Sequence, residues 1–272
     1  MLRIITDSSA EFSKEEAQRL GIEIIPLTVV FDGRAYLEGV EISKAEFYRR
    51  LLSGEYPQTS QPSVTQFSEA FARTNGEETL VILISSALSG TVNTAKLAKE
   101  DGNFTQVHIY DSLCTTAMMR LLVEEAYKNR EKSVEEVVAI LNDLRKRMRL
   151  YACIDTLEYL HKGGRIKRGA AIRGGLLGVR PIITISEEGT VVMAGRERGR
   201  KRALNAVAER FFAEKCDPNY PAVFLQSDKD AQPRELMKLT GCEDARIFQI
   251  CCAVGTHIGP DGAGIVYVVK DA

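Results

Sequence analysis

The apolar positions of this chain fall into short runs, and each of the first runs is followed by a polar turn and an amphipathic stretch. Leu80 to Ile84 is an uninterrupted apolar run, which predicts a buried parallel strand, and the sequence after Gly90 predicts a helix. Leu2 to Ile5 and Val107 to Tyr110 predict two more strands, the second leading into a helix that begins at Asp111. This repeated order predicts a parallel, doubly wound sheet.

Start signals for helices recur along the first half of the chain. Four Ser-x-x-Glu/Gln patterns predict capping boxes; they begin at Ser13, Ser43, Ser63 and Ser133. Ile22 to Phe31 is rich in β-branched residues, and a tight turn at Asp32-Gly33 leads into Ala35 to Leu37. Residues 59–63 read as an extended polar loop anchored by the helix that Ser63 starts.

The pattern changes beyond Leu150, where strands outnumber helices. Tyr151 to Ile154 predicts a strand, Asp155 to Glu158 predicts the cap of a short helix, and Glu187-Glu188-Gly189 predicts a hairpin. Further predicted strands are Pro181–Ile185, Val191–Ala194, Ala222–Gln226, Arg246–Ile250 and Gly264–Val269, and further predicted helices lie near 200–215 and 231–239. We therefore expect an α/β protein: residues 1–150 form an α/β/α domain with a parallel sheet, and residues 151–272 form a smaller α+β domain with a mixed sheet. The natural ligand site is the cleft between them.

Composition and charge narrow the function classes. A hydrophobic content of 44% and a charged content of 27% are typical of a soluble globular protein. The N-terminus turns polar too early for a signal peptide and no apolar run is long enough for an integral membrane segment, so we expect a cytoplasmic location. The net charge is −1, yet eleven Lys or Arg and three Glu lie between His161 and Arg202. A basic face on an acidic body favours a specific acidic or phosphorylated partner over nucleic acid.

Cysteine spacing argues against a metal site. The six cysteines contain no C-x-x-C pair and no zinc spacing with the three histidines, so free buried thiols are expected. The adjacent Cys251 and Cys252 read as small residues of a strand.

The turn from Ser85 to Thr91 is the strongest candidate binding feature. It combines hydroxyl side chains, a glycine and the start of a helix at the carboxyl edge of a predicted parallel sheet. Backbone N–H groups and the helix dipole at such a place favour an anion. The turn has neither the lysine of a Walker loop nor the G-x-G-x-x-G spacing of dinucleotide sites. We expect a small anion there, such as a carboxylate.

Seven of these segments together resemble the DegV family of fatty-acid-binding proteins, the lipid-carrying subunits of bacterial fatty acid kinases. The matching segments occur in family order: Thr6-Asp7-Ser8-Ser9, Thr59-Ser60-Gln61-Pro62-Ser63, Ser85 to Thr91, Asp155 to Leu160 with Gly163-Gly164-Arg165-Ile166, Arg180-Pro181-Ile182, Arg198 to Lys201, and Gly255-Thr256-His257-Ile258-Gly259-Pro260. One such segment would be weak evidence for the resemblance, whereas seven that span nearly the whole chain are strong evidence for it.

The resemblance implies a carrier rather than an enzyme, with no catalytic residue, no cofactor and no metal. It implies that one long-chain fatty acid, such as palmitate, stearate or oleate, lies in a tunnel between the domains. The residues implied at the carboxylate are Thr59, Ser60, Ser89, Gly90 and His257. A separate ATP-dependent fatty acid kinase would convert the carboxylate to an acyl phosphate for phospholipid synthesis, and Arg165, Arg198, Arg200 and Lys201 are the candidate docking residues.

The sequence departs from the family pattern at one place. The family usually reads Gly-Pro-Gly-Ala after the histidine turn, whereas Asp261-Gly262 follows Pro260 here. A carboxylate at Asp261 would repel a bound carboxylate unless it points away.

Two other functions use the same residues. In a serine esterase, Ser89 would be the nucleophile, His257 the base and Asp7 or Asp261 the residue that orients it, although the G-x-S-x-G elbow is absent. In a regulator that binds a small anion or a nucleotide, the helix after Gly90 would hold the phosphate.

Overall fold

A computed structural model describes residues 1–166, 178–228 and 231–270 of the chain. Its helices, in chain order, are α1 (Lys14–Leu20), α2 (Lys44–Leu52), α3 (Val64–Ala72), α4 (Thr91–Asp101), α5 (Thr116–Lys128), α6 (Val134–Arg147), α7 (Glu158–Lys162), α8 (Arg200–Ala213), α9 (Ala231–Thr240) and α10 (Cys252–Ile258). Its strands are β1 (Arg3–Asp7), β2 (Glu23–Ile25), β3 (Thr28–Phe31), β4 (Arg34–Leu37), β5 (Gln58–Ser60), β6 (Thr79–Leu83), β7 (Val107–Asp111), β8 (Met148–Cys153), β9 (Val179–Ile185), β10 (Val191–Arg198), β11 (Val223–Gln226), β12 (Ile247–Gln249) and β13 (Ala263–Val268). None of the helices in this part of the chain is both long and apolar enough to cross a bilayer.

The first half of the chain is a three-layer sandwich around a parallel sheet of order β2-β1-β6-β7. Side chains of β6 alternate between its two faces, as the period of a strand requires. Leu80 and Ile82 pack with residues of α5 and α6, while Val81 and Leu83 pack with α3 and α4. The predicted parallel sheet is therefore confirmed, with helices on both faces.

The second half is built on a mixed sheet of order β10-β9-β8-β13-β11-β12. β8 pairs antiparallel with both β9 and β13, and β11 pairs parallel with β12. Helices α8 and α9 cover one face of this sheet. Its other face contributes Leu150, Ile183 and Leu225 to the same apolar cluster as α5 of the first half. The predicted mixed sheet is confirmed, whereas the domain boundary at residues 150 and 151 stays a prediction.

A small antiparallel sheet has the order β4-β3-β5. The tight turn at Asp32-Gly33 between β3 and β4 forms as predicted, whereas the third strand, β5, was not predicted. Residues 58–60, read from the sequence as part of a polar loop, form its strand β5. Val29 and Phe31 of this sheet pack on α2 and on Cys252 at the start of α10. It therefore carries Thr59 from the first half toward the second.

Three local predictions were wrong because tertiary contacts decide the backbone. The helix after β7 begins at Thr116 rather than Asp111, since the Asp111 carboxylate accepts hydrogen bonds from the backbone N–H groups of Ser86 and Leu113. Asp155 does not cap α7, which has Leu157 at its N-cap, because the Asp155 carboxylate pairs with Arg180. Cys251 and Cys252 start helix α10 instead of lying in a strand.

Candidate functional site

An apolar cavity of about 380 Å³ lies where the two halves of the chain meet. That volume falls in the range of small-molecule sites. Its apolar wall comes from both halves and consists of Leu27, Ile84, Leu88, Leu150, Ala152, Leu160, Ile183, Ile185, Val191, Leu225, Ile250, Ala253, Val254, Ile258 and Ala263. A long unbranched hydrocarbon fits the chemistry of this wall.

The turn before α4 presents a hydroxyl to the cavity. The N-cap residue Gly90 makes no side-chain cap, and the Ser89 hydroxyl oxygen instead accepts from the Thr91 N–H at 3.3 Å and lies 2.8 Å from the Thr91 hydroxyl. A Cβ on Gly90 would lie 2.0 Å from Gln61 Oε1. Glycine therefore lets the loop after β5 pack directly on the turn, where Gln61 donates to Thr94 at 2.6 Å.

His257 and Thr59 meet across the two halves of the chain. Thr59 Oγ1 lies 3.0 Å from His257 Nε2, and both residues line the cavity. The imidazole also packs tightly on Gly163, where an added Cβ would lie 2.0 Å from His257 Nδ1. Nδ1 is buried and has no hydrogen-bond partner among the described residues.

A neutral imidazole and a cation stand side by side in this wall. Burial, and then the charge of Arg165, lower the pKa of His257 to about 4. Arg165 lines the cavity and donates from Nε to the Leu88 carbonyl oxygen at 3.1 Å. Its guanidinium thus reaches the residue that precedes Ser89. The polar part of the wall therefore holds a fixed positive charge, hydroxyls and an uncharged histidine, a donor set that suits one carboxylate.

The residues predicted from the sequence divide into two places. Thr59, Ser60, Ser89 and His257 line the cavity, whereas Gly90 lies behind the wall under Gln61. Of the predicted docking residues, Arg165 lies in the cavity wall, while Arg198, Arg200 and Lys201 line an open groove at the start of α8. Lys167, Arg168 and Arg173 of the basic segment lie outside the described residues. The binding roles of all of these residues stay predictions.

Asp261 points away from His257. Its carboxylate accepts from Gln232 at 2.8 Å, pairs with Arg200 and lies 3.8 Å from Arg180. Arg200, a predicted docking residue, is therefore committed to an ion pair. The expected repulsion between Asp261 and a bound carboxylate is removed by these three partners.

The contacts of the proposed esterase residues do not form a catalytic triad. The Ser89 hydroxyl bonds with Thr91, and His257 bonds with Thr59. The Asp7 carboxylate is fully buried and accepts from Ile84 N–H at 2.8 Å and from Ser9, and burial raises its pKa. Asp7 therefore ties the end of β1 to the end of β6 and does not orient His257.

Sequence reasoning missed two threonines at the start of α5. Thr115 and Thr116 line the cavity, and their buried hydroxyl oxygens have no hydrogen-bond partner in the described parts of the chain. Thr116 has a φ of 52°, a costly conformation for a β-branched residue. The only signal for them in the sequence was a pair of polar residues at the N-terminus of an apolar helix.

A family model described as an uncharacterised protein of the DegV family matches residues 1–270. The chain is 31% identical over 283 residues to a DegV domain-containing protein of Caldanaerobacter subterraneus subsp. tengcongensis, covering 99% of each.

Two solved structures of similar proteins are described as those of fatty acid-binding proteins. A DegV family protein from Thermus thermophilus, described as fatty acid binding, superimposes with a TM-score of 0.89 at 30% identity over 99% of both chains. A stearic acid-binding protein from Eubacterium ventriosum superimposes with a TM-score of 0.90 at 27% identity over 99% of both chains. With the family model covering nearly every residue and the fold shared end to end, this chain belongs to the DegV family.

Proposed function

We propose that this protein binds one long-chain fatty acid, with the acyl chain in the apolar cavity and the carboxylate at Thr59, Ser89 and His257. The observation that carries the proposal is the 3.0 Å contact between Thr59 and His257 in the wall of an otherwise apolar cavity. Arg165, which the sequence assigned to docking, joins the carboxylate site in this proposal because its guanidinium lies beside His257 and Leu88. The fatty acid binding described for two similar proteins supports the same ligand class.

The two ends of such a ligand contribute differently to the affinity. Burial of roughly fifteen methylenes at about 0.8 kcal/mol each contributes on the order of 12 kcal/mol before ordering costs. Each hydrogen bond to the carboxylate contributes only about 1.5–3 kcal/mol. The acyl chain therefore dominates the affinity, and the polar residues fix the position of the carboxylate.

Native mass spectrometry of the protein as purified tests the ligand. The proposal predicts a bound mass in the range of fatty acids, which organic extraction removes and added stearate restores. A bound nucleotide would overturn the proposal, as would a delipidated protein that does not take up stearate. Turnover of a p-nitrophenyl ester would favour the esterase instead.

A pair of isosteric variants tests the carboxylate site. Thr59→Val removes the hydroxyl that contacts His257 and is expected to weaken stearate binding about tenfold, the equivalent of one hydrogen bond to a charged group. Thr105→Val makes the same change at an exposed position outside the cavity and serves as the matched control. Equal affinities for the two variants would count against Thr59 as a ligand contact.

We further propose that the protein acts in the cytoplasm and presents the bound carboxylate to an ATP-dependent kinase. The exposed Arg198 and Lys201 at the start of α8 support a docking surface there, because cations are unfavourable at a helix N-terminus without a partner. Lys201→Glu is expected to slow acyl phosphate formation by the kinase without changing stearate affinity. Lys96→Glu, which reverses an exposed charge on α4, is the control. Equal rates for both variants would exclude Lys201 from docking.

A further inference from the structure

The helix that carries His257 is capped by two carboxylates from the other half of the chain. At the start of α10 the Cys251 N–H donates to Glu11 Oε1 at 2.9 Å. The Cys252 N–H donates to Glu38 Oε1, and the Ala253 N–H donates to Glu38 Oε2 at 3.3 Å. Three backbone donors of one short helix thus end on side chains more than two hundred residues earlier in the chain.

Both carboxylates are buried and have further partners. The side chain of Glu11 is fully buried and forms an ion pair with Lys44 at 2.7 Å. Glu38 accepts a hydrogen bond from the Ser8 hydroxyl at 3.1 Å. The titratable groups that face Glu38 are Glu11 from the segment before α1, Lys44 from α2, and the Cys251 and Cys252 thiols from α10. Burial and the neighbouring Glu11 raise the pKa of Glu38 to about 7.

Helix α10 lines the cavity from its first turn to its last residue. His257 lies near the last residue of the helix, while Ala253, Val254 and Ile258 contribute to the apolar wall. The small sheet holds both ends, because Glu38 follows directly after β4 and Thr59 lies in β5. Tyr48 fixes the approach to the helix by donating to the Ile250 carbonyl oxygen at 3.0 Å.

We propose that Glu38 and Glu11 are positioning residues for the ligand site, which set the placement of α10 and thereby the contact of His257 with Thr59. The inference rests on the proposed fatty acid function. Above about pH 7, where Glu38 is ionised, both of its oxygens accept, whereas an amide places a donor against one of the helix N–H groups.

The first test is Glu38→Gln, followed by two independent measurements. Stearate affinity is expected to fall about tenfold. Selective ¹⁵N-histidine labelling gives a second readout that does not depend on ligand, since the chain contains only three histidines. The Nε2 signal of His257 is expected to shift, while the signals of His108 and His161 stay in place.

Glu124→Gln is the matched control. Like Glu38, Glu124 is an acid that joins the two halves of the chain, here through Arg246 at 2.7 Å, but it is half-buried and accepts none of the hydrogen bonds from the start of α10. The stearate affinity and the His257 signal of the Glu124→Gln variant are expected to equal those of the wild type. A folded Glu38→Gln variant with wild-type affinity and a wild-type His257 signal would overturn the inference.

Ser8→Ala covers the case in which Glu38→Gln does not fold, because it removes only one partner of Glu38. Ser8→Ala is expected to shift the His257 signal in the same direction as Glu38→Gln but by a smaller amount. An unchanged signal would overturn the inference. If the wild-type protein bound no stearate, the proposed function would fail, and the His257 signal alone would decide whether Glu38 positions the helix.

Discussion

At the scale of single residues, the site depends on a few close contacts between distant segments. Gly163 leaves room for the imidazole of His257, and Gly90 leaves room for Gln61. Arg165 adds a charge beside the imidazole, which stays neutral because it is buried. Each contact joins residues whose chemistry is readable in the sequence but whose partners are not.

Gly163→Ala tests the space around His257. Gly163 has a φ of −75°, which alanine adopts freely, so the effect of the change comes from the Cβ placed 2.0 Å from Nδ1. Displacement of the ring is expected to weaken stearate binding about tenfold, measured by isothermal titration calorimetry. Gly195→Ala is the control, because its Cβ would meet the flexible end of Arg210 outside the cavity. An unchanged affinity for Gly163→Ala would contradict the role given to the ring.

Thr115→Val tests the unpaired hydroxyl in the wall. Removing a buried polar group that has no partner in the described residues is expected to raise the free energy of unfolding by about 1 kcal/mol. Thr6→Val is the matched comparison, since the Thr6 hydroxyl is also buried but donates to the Ile82 carbonyl oxygen at 2.8 Å. Loss of this hydrogen bond in Thr6→Val is expected to lower the free energy of unfolding by about 1 kcal/mol. Urea denaturation of the two variants in the absence of ligand measures both values, and equal signs would refute the prediction.

At the scale of elements, α10 is the helix that brings His257 and part of the apolar wall to the cavity. Its sequence looks like two small strand residues followed by a glycine turn, because the groups that cap it are Glu11 and Glu38 in the other half of the chain. The helix supplies three apolar wall residues and His257 to the cavity. Its stability should therefore depend on the ionisation of residues that no local pattern connects to it.

Glu38 predicts a specific dependence of stability on pH. Its pKa is raised from 4.5 to about 7 in the folded protein, chiefly by burial, so the folded state binds more protons than the unfolded state between these values. The contribution of Glu38 to stability is therefore present below about pH 4.5 and is lost as the pH rises through 7. The unfolding free energy of the wild type, relative to Glu38→Gln, is expected to fall across this window in urea titrations. A flat difference would contradict the raised pKa.

His257 predicts the opposite slope and serves as an internal comparison. Its pKa is lowered from 6.5 to about 4, first by burial, so the unfolded state binds more protons between these values. The stability of the wild type relative to His257→Gln is expected to be full above about pH 6.5 and to be lost as the pH falls toward 4. The same sign of slope for both variants would show that at least one pKa shift is wrong.

At the scale of the whole molecule, a second set of contacts joins the two halves away from the cavity. The Arg120 side chain is 4% exposed and pairs with Glu16 at 2.6 Å and with Glu124 at 2.9 Å. Its guanidinium lies 4.1 Å from the ring of Phe12 and 4.2 Å from that of Phe248, which belongs to the second half. None of these five residues lines the cavity, so the cluster joins the two halves of the chain at a separate place.

Arg120→Ala is expected to lower the free energy of unfolding by about 2–3 kcal/mol, because it opens a gap between two rings and leaves the buried Glu11 carbonyl oxygen without the donor that lies at 2.8 Å. Arg120→Met keeps much of the packing and is expected to lose less. Arg49→Ala is the surface control, since Arg49 is exposed and its ion pair among the described residues is with Glu46 of its own helix at 2.5 Å, so almost no change in the free energy of unfolding is expected. Urea denaturation at pH 7 compares the three, and a loss at Arg120 no larger than at Arg49 would refute the prediction.

The amino-acid sequence alone determined the elements whose signals are local. The apolar run of β6, the capping boxes at Ser13, Ser63 and Ser133 and the hairpin after β9 form as predicted, because their hydrogen bonds and side-chain faces lie within a few residues of one another. The hydroxyls of Thr59 and Ser89 could also be singled out, since both lie in polar segments that precede predicted helices.

Only the tertiary structure decided where His257, Arg165 and the threonines of α5 belong. His257 lies on a helix whose caps come from Glu11 and Glu38, and Arg165 turns inward to the Leu88 carbonyl oxygen instead of joining a basic surface. Asp261 is neutralised by Arg200 rather than facing the ligand site. In each case the free energy of a buried polar group depends on a partner far away in the chain, and sequence periodicity carries no information about such a partner.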